Sequence, residues 1–412
     1  MHHRLYFSPG IFGFGRLASY DYFAHLVRVL SERIRASGET VETHVAQVSP
    51  TASIRRRAGT LVELVTQTCD PSNPAGGPIH LIGHSTGGLD ARLVASAIAP
   101  AAISASSTSW HSRLASITTI NAPHLGTPLA SFFTTVSGAR VLRALSALTF
   151  IALTIGSPPL SAVSALVVAL SRIDHALGLE IGVIDRATEA LLRLLDDARS
   201  AEVREYIDAI TKDQGAMVQL MPEAMDLFGA GVVDCPGVYC QSTASMAPAP
   251  GAGTFVRTLG RPWRTASAMI FAALHGISSR HSAMYPCASA DVQREAEEMM
   301  VRAFGSSPSP RANDGVVPIR SQVWGKLVWV GFGDHLDVLG HFRDDSRRSR
   351  RSRRDRDDEG IPHVDWLYSG SVFGREQFEA MAAAIADGLL GCVRIPVMAS
   401  RDSHSPPSIE GT

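Results

Sequence analysis

Residues 78–83 (PIHLIG) form a compact apolar run, and Gly83-His84-Ser85-Thr86-Gly87 continues directly from it. An apolar run of this length, bounded by glycine, suits a strand buried on both faces of a parallel sheet. Residues 87–99 then read as helix. Strand, sharp turn and helix is the setting in which the serine of a G-x-S-x-G sequence is lifted into a strained, exposed position. The small glycines let neighbouring backbone pass close by. The helix points its first N–H groups toward developing negative charge. Ser85 is therefore the candidate nucleophile, and the amide of Thr86 the natural first oxyanion donor.

The flanking sequence fits a parallel sheet. Residues 4–8 are a short β-like run ending in Pro9-Gly10, and residues 40–48 alternate as a strand does. Between them, residues 20–36 place Phe23, Leu26, Val27, Leu30 and Ile34 on one helical face. Residues 54–68 are helical, and 114–120 are the next strand. Strands alternating with helices imply a parallel sheet covered by helices.

The alternation stops after Pro128. Residues 130–198 are rich in Ala, Leu and Val, with helical and no strand pattern. Residues 199–310 mix helix and loop, with a Pro/Gly/Ser-rich piece near 247–253. A strand-like run returns at 327–330, and 377–390 is an amphipathic helix. The expected organisation is an α/β core from residues 1–130 and 311–398, interrupted by a mainly helical insertion over 131–310. Residues 342–360 are a run of Arg, Asp and Ser with the composition of a solvated, disordered loop. The tail 399–412 is expected to be disordered too.

Composition excludes several functions. With 38 Lys+Arg, 39 Asp+Glu and a net charge of −1, the chain lacks the basic excess of a nucleic-acid protein. The charges of the 342–360 run nearly cancel, whereas a nucleic-acid tail needs an uncancelled basic block. Five cysteines in no zinc-like spacing read as free thiols, although Cys235 and Cys240 are close enough in sequence to pair. The uncharged stretch 144–170 is broken by Gly156, Pro158 and Pro159 into pieces shorter than the ~20 residues that span a bilayer. It reads as a two-helix apolar hairpin. MHHRLYFSPG has no signal-peptide pattern, so a cytoplasmic location is the default expectation, and a secreted one if the true start lies upstream.

The remaining site residues follow from chain order. A second oxyanion donor belongs in the loop after an early strand, where Pro9-Gly10-Ile11-Phe12-Gly13-Phe14 offers the backbone N–H of Ile11. In a nucleophile-elbow fold the acid follows the serine and the base comes last. Asp314, in the polar turn Asn313-Asp314-Gly315, can accept an imidazole Nδ1–H and fix its tautomer; Asp337 and Asp365 compete for that role. His335, in Gly333-Asp334-His335-Leu336-Asp337, is the candidate base, with His341 and His363 as competitors.

PGIFGF, IHLIGHSTGG, INAPHLGTP, NDGVVP and DHLD occur here in the order and approximate spacing of the bacterial true lipases, the triacylglycerol hydrolases of the α/β-hydrolase superfamily. The chain resembles that family over residues 4–130 and 311–341. The resemblance implies an α/β-hydrolase fold, with a mostly parallel central sheet flanked by helices and a large, mainly helical lid or cap. It implies Ser85 as nucleophile, Asp314 as acid, His335 as base, and Ile11 and Thr86 as oxyanion donors. It implies a lid over residues 130–200 whose apolar hairpin opens onto a lipid surface. It also implies a structural calcium ion on Asp337, with Asp291 the nearest second carboxylate, no organic cofactor, and for some relatives a foldase chaperone. Pro9-Gly10 departs from the family's His-Gly, no secretion signal is present, and the 342–360 run and His363-Val364-Asp365-Trp366 have no family counterpart.

The expected function is a serine carboxylester hydrolase, a lipase or esterase, cleaving an apolar ester at a lipid–water interface through an acyl-enzyme on Ser85. Alternatives on the same fold are a polyhydroxyalkanoate depolymerase, a phospholipase or an acyltransferase. Outside enzymes, the alternative is a non-catalytic lipid-surface binding protein.

Overall fold

The computed structural model describes residues 1–11, 16–17, 20–69, 76–96, 110–154, 160–171, 181–193, 197–280, 287–340 and 367–394. The runs 342–360 and 399–412, and the competitors His341, His363 and Asp365, lie outside the described residues.

The described strands are β1 (His2–Ser8), β2 (Arg16–Leu17), β3 (Tyr20–Asp21), β4 (Thr40–Val45), β5 (Ile79–His84), β6 (Leu114–Ile120), β7 (Tyr239–Met246) and β8 (Lys326–Phe332). Six form one sheet in the order β4-β1-β5-β6-β7-β8, with every neighbouring pair parallel. β2 and β3 make a small antiparallel ribbon. A parallel sheet gathers the C-terminal ends of its strands along one edge. The segments that follow β1, β5 and β8 therefore meet there.

The helices are α1 (Ala24–Ala36), α2 (Ile54–Thr68), α3 (Thr86–Val94), α4 (Pro128–Phe133), α5 (Val136–Thr154), α6 (Leu160–Ser171), α7 (Ile181–Leu192), α8 (Asp197–Lys212), α9 (Gly215–Gln219), α10 (Pro222–Gly231), α11 (Ala252–Val256), α12 (Pro262–Ser278), α13 (Arg294–Phe304) and α14 (Arg375–Arg394). α2 shows how sequence sets an element. The Ser53 side chain caps the Arg56 N–H, and Ile54, Ala58, Leu61, Val62 and Val65 form its buried stripe. α2 packs on α3, and α3 packs on β1, β5 and β6. α1 packs on β4 and on α14, which covers β6, β7 and β8. The architecture is the parallel central sheet flanked by helices expected from the sequence.

One boundary is corrected. The segment 131–310 is not a single helical insertion, because β7 lies inside it and pairs with β6 and β8 in the core sheet. The strand Tyr-Cys-Gln-Ser-Thr-Ala-Ser-Met has no aliphatic run, which hid it. Gln241, Ser242, Thr243, Ala244 and Ser245 are fully buried, and hydrogen bonding replaces apolar packing: Gln241 Nε2 donates to Thr118 Oγ1 at 2.8 Å. The helices from α4 to α10 thus fill the β6–β7 connection, and α11 to α13 the β7–β8 connection.

The apolar stretch 144–170 falls on α5 and α6. Leu145, Leu148 and Ile151 of α5 are buried in the main hydrophobic core, as are Val163 and Leu166 of α6. Leu160 and Val168 face outward, at 43% and 44% exposure. Among the described residues no helix is long and apolar enough to cross a membrane. All five cysteines are free thiols.

The core also encloses neutral histidines. His80 of β5 stacks on His3 of β1 with ring centroids 5.2 Å apart, and its Nδ1 lies 2.7 Å from Ser116 Oγ. Burial, reinforced by His3, holds His80 down at about 3. Burial also holds His275 down at about 4, against the opposing pull of Asp314. Unfolding returns each to the ordinary value near 6.5. Their neutral burial therefore contributes stability that is complete above pH 6.5 and declines as pH falls toward 4. Each is expected to cost about 2 kcal/mol at pH 5. Urea titrations at pH 7 and pH 5 measure this, and His80→Gln should flatten the pH slope. A slope unchanged in that variant would refute the assignment.

Candidate active site

Ser85 sits between β5 and α3 with φ 55° and ψ −127°. Its N–H donates to the Ile120 carbonyl of the neighbouring strand at 2.8 Å, and its carbonyl accepts the Gly88 N–H at 3.0 Å. Backbone pairing on both sides holds a residue that would otherwise relax. Close approach explains the glycines. A Cβ at Gly87 would fall on the Ser8 carbonyl oxygen, and one at Gly10 would lie 2.7 Å from the Ser85 Cβ. The Pro9-Gly10-Ile11 chain therefore runs directly against the Ser85 side chain. Ile11, next in that chain, and Thr86, next after the serine, are both buried. Residues 12–15 of that loop lie outside the described residues.

The loop is tied down by Arg57 of α2. Its guanidinium, fully buried, donates to the Pro9 carbonyl, to Ser49 O at 3.1 Å and to Pro50 O at 3.0 Å. It also pairs with Asp90 of α3, Nη2 to Oδ2 at 2.8 Å, and the Ser8 hydroxyl donates to the same carboxylate at 2.7 Å. One ion pair thus joins α2, α3 and the end of β1.

His335 follows β8, and its Nδ1 donates to Asp314 Oδ2 at 2.7 Å. Both side chains are buried. The Asp314 carboxylate accepts four further hydrogen bonds. Asn121 Nδ2 (3.1 Å) and Gln322 Nε2 (3.2 Å) reach Oδ2; the N–H groups of Val316 (2.9 Å) and Val317 (2.7 Å) reach Oδ1. Five donors fix the carboxylate in place. The His335 N–H donates to the Asp314 carbonyl at 2.9 Å. On the other side, His84 Nε2 donates to the His335 carbonyl at 2.8 Å, while His84 Nδ1 accepts from the Tyr22 hydroxyl at 2.8 Å. The His84 and His335 rings are 4.8 Å apart. His84 thus connects the serine's own strand to the histidine loop.

His335 Nε2 is buried and, among the described residues, makes no hydrogen bond, to Ser85 or to any other group. Such bonds often tighten only when substrate is bound. Asp314, not Asp337, holds the His335 Nδ1; the Asp337 Oδ2 accepts the Asp334 N–H at 2.8 Å and the Ser371 hydroxyl at 2.7 Å. Among the described residues no group of three or more His, Cys, Asp or Glu side chains is placed to hold a metal ion. Asp291 lies on the exposed stretch before α13. Backbone carbonyls and water can complete a calcium shell around few carboxylates, so Asp337 and Asp291 stay proposed ligands for the expected ion.

Sequence reasoning did not identify Arg57, Asp90, His84, Asn121, Gln322 or Ser371. Arg57 had a signal: it falls in the apolar stripe of α2, where an arginine needs a buried partner. His84 lies within the G-x-S-x-G sequence itself. Asn121, Gln322 and Ser371 carried none.

No family model matches the sequence, and no curated protein is similar to it. Solved structures align with the chain at low identity. EstA from Clostridium botulinum aligns at 16% identity over 93% of this chain and 87% of that one, with a TM-score of 0.48. The Staphylococcus hyicus lipase aligns at 15% identity over 95% and 96%, with a TM-score of 0.46. Lipase 1 from Pelosinus fermentans aligns at 15% identity over 93% and 98%, also with a TM-score of 0.46.

Proposed function

We propose that the chain is a serine carboxylester hydrolase, of the lipase or esterase kind, that cleaves apolar esters through an acyl-enzyme on Ser85. The observation that carries this reading is a serine held at positive φ at the mouth of a helix, on the same sheet edge as a buried His–Asp pair whose second ring nitrogen is unused.

In this reading His335 Nε2 takes the Ser85 proton as Oγ attacks the ester carbonyl. Asp314 holds Nδ1 and stabilises the imidazolium. The Ile11 and Thr86 N–H groups receive the oxyanion; removing one such donor costs ~3–4 kcal/mol of barrier lowering. The C–O bond to the alcohol breaks, and the imidazolium protonates the departing alkoxide. Water then gives a proton to His335, attacks the acyl carbon and releases the acid, and Ser85 regains its proton. Leu160 and Val168 of α6 are outward-facing apolar side chains that an ester of this class could meet. No calcium ion enters these steps.

The test is hydrolysis of p-nitrophenyl butyrate and palmitate, with a fluorophosphonate probe as covalent label. Turnover of at least one ester, abolished by the probe with its mass added to the Ser85 peptide, is the expected result. The ratio of the two rates places the enzyme between esterase and lipase. Labelling elsewhere, or no turnover and no labelling, would sink the proposal. A rate that falls with EDTA would support the calcium ion proposed at Asp337.

A further inference from the structure

His335 is anchored on its N-terminal side by Asp314 and at its carbonyl by His84. What holds the turn that follows it is a separate question. Residues 333–340 form a tight loop after β8, and its carboxylates act within it. Asp334 Oδ1 accepts the N–H groups of Leu336 (3.0 Å) and Asp337 (2.9 Å). Asp337 Oδ2 accepts the Asp334 N–H, and Ser371 reaches the same oxygen from outside the loop.

The Ser371 hydroxyl is oriented. It accepts from the Ser369 hydroxyl at 3.1 Å and from the Phe373 N–H at 3.4 Å, so its own proton is left to point at Asp337. The next residue, Val372, has φ 54° and is 77% exposed. A β-branched residue at positive φ is an outlier. Its own side chain gains no packing from that conformation. The neighbours do gain. Phe373 is buried, meets Trp329 of β8 edge-on, and lies 3.2 Å from where a Cβ of Gly333 would stand. The backbone at Val372 thus turns Ser371 and Phe373 together onto the loop that bears the histidine. Strain that persists at an exposed position calls for a functional cause.

We propose that Ser371 is a positioning residue for His335. Acting through Asp337, it sets the turn behind the imidazole and hence the direction in which Nε2 faces Ser85. This inference rests on the ester-hydrolase reading above. Displacing a reacting group by ~1 Å can cost ~100-fold in rate, so a partial loosening is expected to cost roughly tenfold.

The experiment compares wild type, Ser371→Ala and Ser371→Thr in the full chain, with p-nitrophenyl butyrate turnover, fluorophosphonate capture at Ser85 and thermal midpoint as readouts. Ser371→Ala should lower kcat and the capture rate roughly tenfold, with KM and midpoint nearly unchanged. Ser371→Thr keeps the hydroxyl and should recover most of the loss. An unchanged kcat in Ser371→Ala overturns the inference. So does a fall in midpoint that parallels the rate and is not rescued by threonine, which marks a contact that only supports the fold. A wild type that neither turns over ester nor captures the probe defeats the hydrolase reading, and this inference with it. An active wild type with an equally active Ser371→Ala defeats the positioning role alone.

Discussion

Replacing Ser85 by Ala should reduce ester turnover by roughly a millionfold, the scale on which a triad serine is lost. The same position makes a second, opposite prediction about stability. Ser85 occupies φ 55°, ψ −127°, where a side chain is strained and glycine is at ease. Such strain costs about 1–3 kcal/mol. Ser85→Gly should therefore be as inactive as Ser85→Ala and yet unfold at a higher temperature than wild type. Loss of activity without any gain in the glycine variant would mean that the elbow is not a strained element. Residual activity within tenfold of wild type in either variant would remove Ser85 as nucleophile.

The second large effect is expected far from the reacting atoms. Asp90→Ala strips the counter-charge from the fully buried Arg57 guanidinium. Removing one partner of a buried pair costs about 3–5 kcal/mol, because the other charge stays desolvated. A lower urea midpoint should report it. Replacing both residues with apolar ones of similar size, Arg57→Met with Asp90→Leu, should return most of that stability, since such swaps are often neutral. It should not return the rate. The Pro9 carbonyl would still lack its guanidinium donor, and with it the Gly10-Ile11 peptide its firm seat beside Ser85. A double variant that recovers both stability and kcat would show that the ion pair serves the fold alone.

The legible parts of this chain were those in which local chemistry and local structure coincide. Residues 54–68 and 114–120 were readable to the residue, because α2 has one apolar stripe and a serine cap, and β6 is a β-branched run. The Ser85 elbow was readable because strand, glycines and helix are contiguous. Asp314 and His335 were readable through turn chemistry and chain order, and the structure brings them within 2.7 Å. β7 was not readable. Its partners are hydroxyls and amides on other strands, and a hydrogen-bonded core leaves no periodic trace in one sequence. The supports of the site are illegible for a related reason. Asn121, Gln322 and Ser371 are ordinary polar residues whose roles exist only after tertiary folding places them against a carboxylate.

The placement of β8 near the end of the sheet order has a consequence for synthesis. Ser85 emerges from the ribosome 250 positions before His335, and everything from α4 to α13 is made in between. At about 5–20 residues per second that interval is about 12–50 s. Once β6 has been made the elbow can form on β1, β5 and β6, but the proposed base is still missing. The nascent chain carries a folded serine that is chemically silent, and the appearance of catalysis would time the docking of the last strand.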